Sequence, residues 1–337
     1  MANNAAIRCP GPQHLFAGAR QHPCINHKLL IGDKMATNIQ ELLTAEELAR
    51  VTRKDDLRAT CIVLFDWSMV IGLFVLTAAF PNPLTMLFTV LLLGGRQMAL
   101  GVLVHETGHK SFFTSQSVND FVATWLSGYW VFSDKDAYMR GHLMHHRDCG
   151  TADDPDIKNF DAYPVSITSF KRKVLRDITG KIGWRRLVSI SRLLFRLGKL
   201  KHSTRKMLVG GVICNLGLFL TMSVAGFPEL FALWVIAFMT SHMLITRIRQ
   251  IAEHAAVPDH FDPDIRMNTR TIYVSWLEAL LVAPHGLNFH LEHHLMASVP
   301  IYKLGELHQI LLDKGYYEGV EFPKGYLGLL RRVTYGT

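Results

Sequence analysis

Nine of the seventeen histidines fall in four short stretches. His105 and His109 lie in HETGH; His142, His145 and His146 in HLMHH; His254 closes QIAEH; His290, His293 and His294 lie in HLEHH. On a helix, positions i, i+3 and i+4 share a face, so each stretch presents its imidazoles on one side. Imidazole titrates near pH 6.5, so most rings are neutral in a cell and offer a lone pair to a metal. A single catalytic zinc takes three protein ligands and an open position. Eight or nine imidazoles suit two ions with four or five nitrogens each. Imidazole serves zinc, copper, iron and nickel alike, so ligand type leaves the metal open. HETGH alone fits the HExxH pattern of zinc proteases, with Glu106 as base. A protease has no use for two HxxHH stretches. A carboxylate-bridged diiron bundle needs two Glu-x-x-His motifs, and Glu106–His109 is the only one present.

These stretches need elements that gather them. Four apolar runs of roughly 20 residues, Cys61–Phe80, Leu84–Val104, Met207–Gly226 and Pro228–Thr246, are each long enough as a helix to cross a membrane. They come in two pairs, joined by Pro81-Asn82-Pro83 and Gly226-Phe227-Pro228, turn chemistry too short to hold a domain. A transporter would keep its ligands inside such helices; here they flank them. The expected fold is all-α: four transmembrane helices in two hairpins, with a cytosolic helical cap holding the histidines. Neither hairpin tip carries Lys or Arg, whereas residues 105–206 carry many, Arg247 and Arg249 follow the last run, and Arg53, Lys54 and Arg58 precede the first. The positive-inside rule then puts both termini and all four histidine stretches on the cytosolic side.

The net charge of +8 is thus topological, and it also attracts anionic lipid headgroups. No recognition motif accompanies it, so nucleic acid is not an expected partner. The five cysteines are scattered, without a CxxC pair, and suit a reducing compartment; Cys149, though close to HLMHH, reads as incidental. Residues 1–34 lack periodicity and a signal-peptide pattern, and read as a disordered extension, with Met35 a candidate start. Residues 35–60 hold an amphipathic surface helix over 39–52 with Thr44 and Glu47 as a capping box, 61–315 the membrane domain, and 316–337 a cytosolic tail. The basic 166–206 stretch, with Phe170 and Trp184, suits interfacial helices or solvated ones. Phe121–Phe132 and Thr271–Pro284 are too short to span and should pack beneath the bundle.

Asp66 and Arg96 stand nearly equidistant from Asn82. In an antiparallel hairpin they reach similar depth, and ionised groups there need partners, so the two are expected to pair. Asp153, Asp154, Asp156, Glu106, Glu253 and Glu292 are candidates to accept the outer ring N–H of a ligating imidazole, although Asp154-Pro155-Asp156 also reads as a turn. His242, His260, His285 and His308 read as ordinary polar residues, and for His254 alone that reading competes with ligation.

The ordered boxes HETGHKSFF at 105–113, HLMHHRDCGTADDPD at 142–156 and NFHLEHHLMASVP at 288–300 resemble those of the membrane fatty acid desaturase and hydroxylase superfamily, over most of residues 60–315. The resemblance implies two irons, held by His105, His109, His142, His145, His146, His290, His293 and His294. It implies His254 as a further ligand and Gln250 as a contact through water, with Gln in place of the Asn of acyl-CoA desaturases. Box one has three intervening residues rather than the four of that branch, which implies an acyl-lipid or bacterial type. The implied reaction uses O₂ to remove hydrogen from an unactivated carbon of a lipid chain. It gives a double bond, or by oxygen rebound an alcohol. Some members act instead on small metabolites such as dihydrorhizobitoxine. Trp125, Tyr129 and Trp130 are candidate tunnel residues, with core packing as the alternative. The chain has no haem-binding His-Pro-Gly-Gly, no GxGxxG and no iron–sulfur cysteines. An external ferredoxin or cytochrome is therefore expected as electron donor on the cytosolic face of a multi-pass protein of the bacterial inner membrane.

Overall fold

The computed structural model describes residues 42–335. The expectations for residues 1–34, and for Met35 as a start, lie outside them. Helix α1, Ala45–Thr52, begins with the expected reciprocal cap: Thr44 Oγ1 accepts from Glu47 N at 3.1 Å, and Glu47 Oε2 accepts from Thr44 N at 2.7 Å. The first hairpin is α2, Asp56–Ala79, and α3, Pro83–Gly108. Asn82 caps α3 by accepting from Thr85 N, and Pro83 occupies the first turn, where its missing N–H costs nothing.

After α3 come α4, Gln116–Trp125, and α5, Lys135–Asp148, with a 3₁₀ turn between them at Gly128–Val131. Strand β1, Val165–Ser166, leads into α6, Ile167–Ile178, and α7, Lys181–Leu194. The second hairpin is α8, His202–Val224, against α9, Leu230–Met239, continued by α10, Ser241–His254. The remainder is α11, Ile265–Asn268; α12, Trp276–Leu281; α13, His290–Leu295; α14, Leu304–Asp313; α15, Tyr326–Arg332; and β2, Thr334–Tyr335. The all-α expectation holds, with one small addition: β1 and β2 pair in parallel, Val165 opposite Thr334.

Helices α2, α3, α8 and the α9–α10 pair are long and apolar enough to cross a membrane. Leu64, Ile71 and Val75 of α2, Leu84 and Leu87 of α3, and Ile213, Leu216 and Leu220 of α8 are exposed. An apolar surface that broad belongs against lipid. Helix α3 is different. Leu92 through Leu100 and Val102 through Thr107 are all buried, which makes it the axis of the bundle. The starts of α2 and α8 meet the segments around α4 and α5: Asp56 Oδ1 accepts from Thr114 N at 2.8 Å, and Thr204 donates to Asp134 at 3.4 Å. Both hairpin tips therefore lie at the far end of the bundle.

The fourth apolar run is not the continuous helix expected over Pro228–Thr246. Thr240 leaves helical geometry, at φ −118° and ψ −85°. The break lies against α3: the Ser241 hydroxyl donates to the Val90 carbonyl at 2.7 Å. Gly94 permits that approach, since a Cβ there would stand 2.7 Å from His242 N. The kink turns α10 along α3 and delivers His254 to the end of the bundle where α3 finishes.

The short apolar stretches do not span; they form α4 with its 3₁₀ turn and α12. Helices α6 and α7 keep Leu175, Ile178 and Trp184 exposed beside their basic residues, the pattern of an interfacial helix pair. Trp130 packs on Trp67 at 4.5 Å, and Tyr129 packs on Gly210. Trp125 packs edge-on against Tyr129, and these two also line a cavity with Asp120, Lys135 and Met207 that none of the clustered histidines lines. Residues 316–335 are not a tail: Tyr317, Tyr326, Leu329 and Val333 are buried in the body. Their apolar side chains alternate with charges too irregularly to show a periodic face.

Asp66 and Arg96 pair at 2.6 Å, both fully buried. Arg96 also donates to the Leu280 carbonyl, and His285 Nε2 meets the second Asp66 oxygen at 2.9 Å. The pair thus ties the first hairpin to the segment that precedes α13. Asp66→Asn should cost about 3 kcal/mol, because it leaves a buried guanidinium without its countercharge. Arg96→Gln should cost far less in the Asp66→Asn background than alone. Thermal unfolding in detergent measures both, and additive losses would mean the two groups do not couple.

Candidate metal centre

The last turn of α3 carries His105, and His109 caps that helix; α5 carries His142 and His146; α13 carries His293. One nitrogen from each of these five rings lies within 4.8 Å of all the others. His146 Nε2 is 2.9 Å from His142 Nε2 and 3.0 Å from His293 Nε2. The Nε2 atoms of His105 and His109 are buried without a hydrogen-bond partner among the described residues. Gly108 leaves room for the Met139 side chain of α5, whose Sδ would stand 2.3 Å from a Cβ there.

His145, His254, His290 and His294 form a second group on the same 4.8 Å criterion. His254 Nε2 stands 3.2 Å from His145 Nε2 and 3.0 Å from His290 Nε2, which is 3.1 Å from His294 Nε2. The outer nitrogens fix the tautomers. His145 Nδ1 faces Asp154 Oδ1 at 2.8 Å, and His254 Nδ1 faces the Asn268 carbonyl at 3.2 Å. Both partners only accept, so in the neutral rings both Nδ1 atoms carry the proton. The two Nε2 lone pairs then point at each other, which is repulsive unless a cation lies between them. Nitrogens sharing one ion at about 2.1 Å stand roughly 3.0–3.4 Å apart, and the observed spacings match.

Burial keeps most of these rings uncharged. His109 is pushed down to about 4 and His146 to about 3, chiefly by loss of hydration. His142, His290, His293 and His294 lie well below the ordinary value, by burial first and then by the charges of neighbouring imidazoles. A neutral imidazole is the form that binds a metal.

The carboxylates divide by what they touch. Glu106 Oε1 meets His105 Nδ1 at 2.7 Å, and its Oε2 accepts from Ile301 N at 3.1 Å. Asp154 accepts from His145 and from Asp156 N, so it orients a ring and shapes the turn at once. Glu253 Oε2 lies 3.5 Å from His290 Nε2, and Oε1 pairs with Arg249 at 2.8 Å. Glu253 thus meets a cluster-side nitrogen and not an outer N–H, and Asp156 is exposed and accepts from Asn159 Nδ2 at 3.1 Å, not from an imidazole. Two further expectations fail. Asp153 is exposed and touches no imidazole, because the turn points only Asp154 inward. Glu292 is fully buried but reaches His308 Nδ1 at 2.6 Å, with Thr271 and Tyr317 as further donors. From its place in α13 it holds the helix, not a clustered ring.

His242, His260, His285 and His308 stay outside both groups. His260 Nε2 donates to the His254 carbonyl at 2.9 Å, and His242 stacks on Phe238. Gln250 lines a cavity of about 260 Å³ with His142, His145, His254 and His290. Tyr138, Gly141, Asp156, Asn159, Phe160, Arg249 and Glu253 complete its wall. Tyr138 and Arg249 were missed in the sequence. Each stands four residues before a residue of the site, His142 and Glu253, and that spacing is the signal that marks them.

A family model described as fatty acid desaturase matches residues 81–326. The chain belongs to that family. It is 24% identical over 263 residues to the dihydrorhizobitoxine desaturase of Bradyrhizobium elkanii, covering 73% of this chain and 74% of that one. It is 26% identical over 278 residues to the sn-1 oleoyl-lipid 12-desaturase of a Picosynechococcus species, covering 74% and 75%. A Synechocystis enzyme of the same name is 25% identical over 235 residues, covering 63% and 64%. The chain is therefore a membrane-associated, metal-binding oxidoreductase. The zinc-protease reading of HETGH finds no support, since both Glu106 oxygens are already engaged by His105 and Ile301.

The outer bonds are site-specific, so their loss should be too. Asp154→Asn should weaken one metal equivalent by about 10–100-fold and leave the other unchanged. Titration of the stripped protein against a chelator of known affinity measures this; equal weakening of both equivalents would refute it.

Proposed function

We propose that this desaturase-family protein is an O₂-dependent diiron enzyme that forms a carbon–carbon double bond in an acyl chain of a membrane lipid. One iron would be held by His105, His109, His142, His146 and His293, and the other by His145, His254, His290 and His294. The observation that carries the reading is the convergence of nine imidazoles in two groups, one nitrogen of each ring lying within 4.8 Å of all the others in its group. Gln250, on the cavity wall, would contact the second ion through water.

Irons bound there would supply oxygen activation at an unactivated carbon. Desaturation consumes one O₂, two donor electrons and two protons, and releases two waters. The chain's own residues supply the frame: Glu106, Asp154 and the Asn268 carbonyl fix ring orientation, and burial excludes competing water. The relatives are named desaturases, which favours a double bond over the hydroxylase alternative. Membrane-spanning helices exposed to lipid favour an acyl substrate. A second reading, a small polar metabolite, draws on the cavity wall, where Tyr138, Asn159, Arg249, Gln250 and Glu253 offer hydrogen bonds and charge. The basic residues between the hairpins support a cytosolic placement of both termini and the site in a multi-pass protein of the bacterial inner membrane. They also suit an acidic ferredoxin or cytochrome as electron donor.

Anaerobic loading with ferrous iron should give two irons per chain, and His293→Ala should lose one. Supplied with a ferredoxin system and air, the wild type should add a double bond to host lipids that the His293→Ala membranes lack. One zinc per chain, or identical lipid and metabolite profiles, would overturn the proposal. Raising ionic strength from low to physiological should slow electron delivery several-fold, since screening shortens to about 8 Å at 0.15 M. Stopped-flow reduction reads that rate, and salt independence would remove the electrostatic docking.

A further inference from the structure

Residues 166–206 hold 13 Lys and Arg and one carboxylate, Asp177. That carboxylate is buried and already paired with Arg247 of α10. On α6, Lys171, Arg172, Leu175 and Ile178 are exposed. On α7, Lys181, Trp184, Arg185 and Arg192 are exposed, with Phe195 and Arg196 just past its end. These spacings place each set on one face of its helix. None of the six cations pairs with a carboxylate among the described residues. Beside them Trp184 is 62% exposed and Phe195 89%. The opposite face of α7 packs on the fourth long apolar helix. A Cβ on Gly183 would stand 2.2 Å from Met239 Cα, and the Arg186 guanidinium lies 5.0 Å from the centre of the Phe238 ring. The pair therefore lies alongside α9 and not out in solvent.

We propose that the exposed faces of α6 and α7 bind anionic phospholipid headgroups, in the leaflet next to the histidine cap. The inference rests on the membrane placement of the four long helices and is independent of the metal reading. At the boundary of a bilayer both halves of such a face find partners. The cations meet phosphate, and the indole, phenyl and aliphatic groups reach the acyl chains. Each Lys or Arg near an anionic surface strengthens association about fivefold, within a Debye length of it. Zwitterionic lipid would cover the apolar groups and leave the six cations without net countercharge. An acidic soluble donor would neutralise the cations. It would also have to cover Leu175, Trp184 and Phe195, on a flank that a spanning helix shares with lipid. Lipid satisfies both halves of the face at once.

The test reconstitutes the full chain in phosphatidylcholine bilayers carrying a small, equal fraction of brominated phosphatidylglycerol or of brominated phosphatidylcholine. Fluorescence of Trp184 is read as wild type minus Trp184→Phe. The brominated phosphatidylglycerol should quench it about threefold more strongly, and the excess should fade toward 1 M salt, where screening shortens to about 3 Å. Neutralising four cations together, with Lys171→Gln, Arg172→Gln, Lys181→Gln and Arg185→Gln, should remove most of that preference. Arg172→Lys with Arg185→Lys should keep it. Equal quenching by the two lipids in the wild type, no quenching by either, or a preference that survives the four substitutions would overturn the assignment. So would a four-site variant that slows reduction by an acidic ferredoxin several-fold while the lipid preference persists, a result that gives the face to a protein donor. If the four-site variant does not accumulate, the wild-type preference and its loss in salt decide.

Discussion

Imidazole nitrogens whose ring protons are committed elsewhere cannot hydrogen-bond to one another, and at about 3 Å their lone pairs repel. The whole molecule is arranged around holding such nitrogens together. His145 and His254 show the constraint most plainly, because an acceptor on each outer nitrogen removes the alternative tautomer. The arrangement costs free energy without a cation and gains it with one, so metal affinity and stability of the cap are linked quantities. The rings must come from four chain segments, because no single helix turn can aim more than two or three imidazoles at one point.

The bundle supplies the rigidity that this requires. Helix α3 is buried along most of its length and ends in His105 and His109, so its axis fixes the first group relative to the membrane. Gly94 sets its close approach to the α10 backbone, and Gly108 makes room for the Met139 side chain of α5. The Asp66–Arg96 pair, extended by His285, fixes the loop before α13 to the same hairpin. Polar groups inside a membrane bundle are expensive. Here each contact runs from a spanning helix to an element that bears ligands or precedes them, which gives the cost a structural return.

Much of this was legible in the residues. Apolar length and turn chemistry marked both hairpins, helical spacing marked the shared face of each histidine stretch, and symmetry about Asn82 marked the Asp66–Arg96 pair. Three things were not. The break at Thr240 depends on Ser241 reaching Val90, a contact between segments 151 residues apart in the chain. The order of residues 316–335 depends on burial against distant helices, which no local period records. The partition of the histidines was equally hidden: adjacent His145 and His146, and likewise His293 and His294, go to opposite groups. Neighbours on a helix point about 100° apart, so one box can serve two ions, but only the placement of the other helices says which ring serves which.

Imidazoles can be held by the ring or by the helix beneath it, and both solutions occur here. His105, His145 and His254 are held by the ring, through acceptors on Nδ1. His290, His293 and His294 have Nδ1 atoms without a hydrogen-bond partner among the described residues. Their orientation must come from α13, a helix of only six residues, too short to be stable alone. That helix is secured from outside. Asn288 exchanges hydrogen bonds with Ile272 at 2.9 and 3.0 Å on its approach, and Glu292 gathers Thr271, His308 and Tyr317 beneath it. Glu292 therefore contributes to the site without touching a clustered ring. An anchor under the helix thus positions three rings through one buried network.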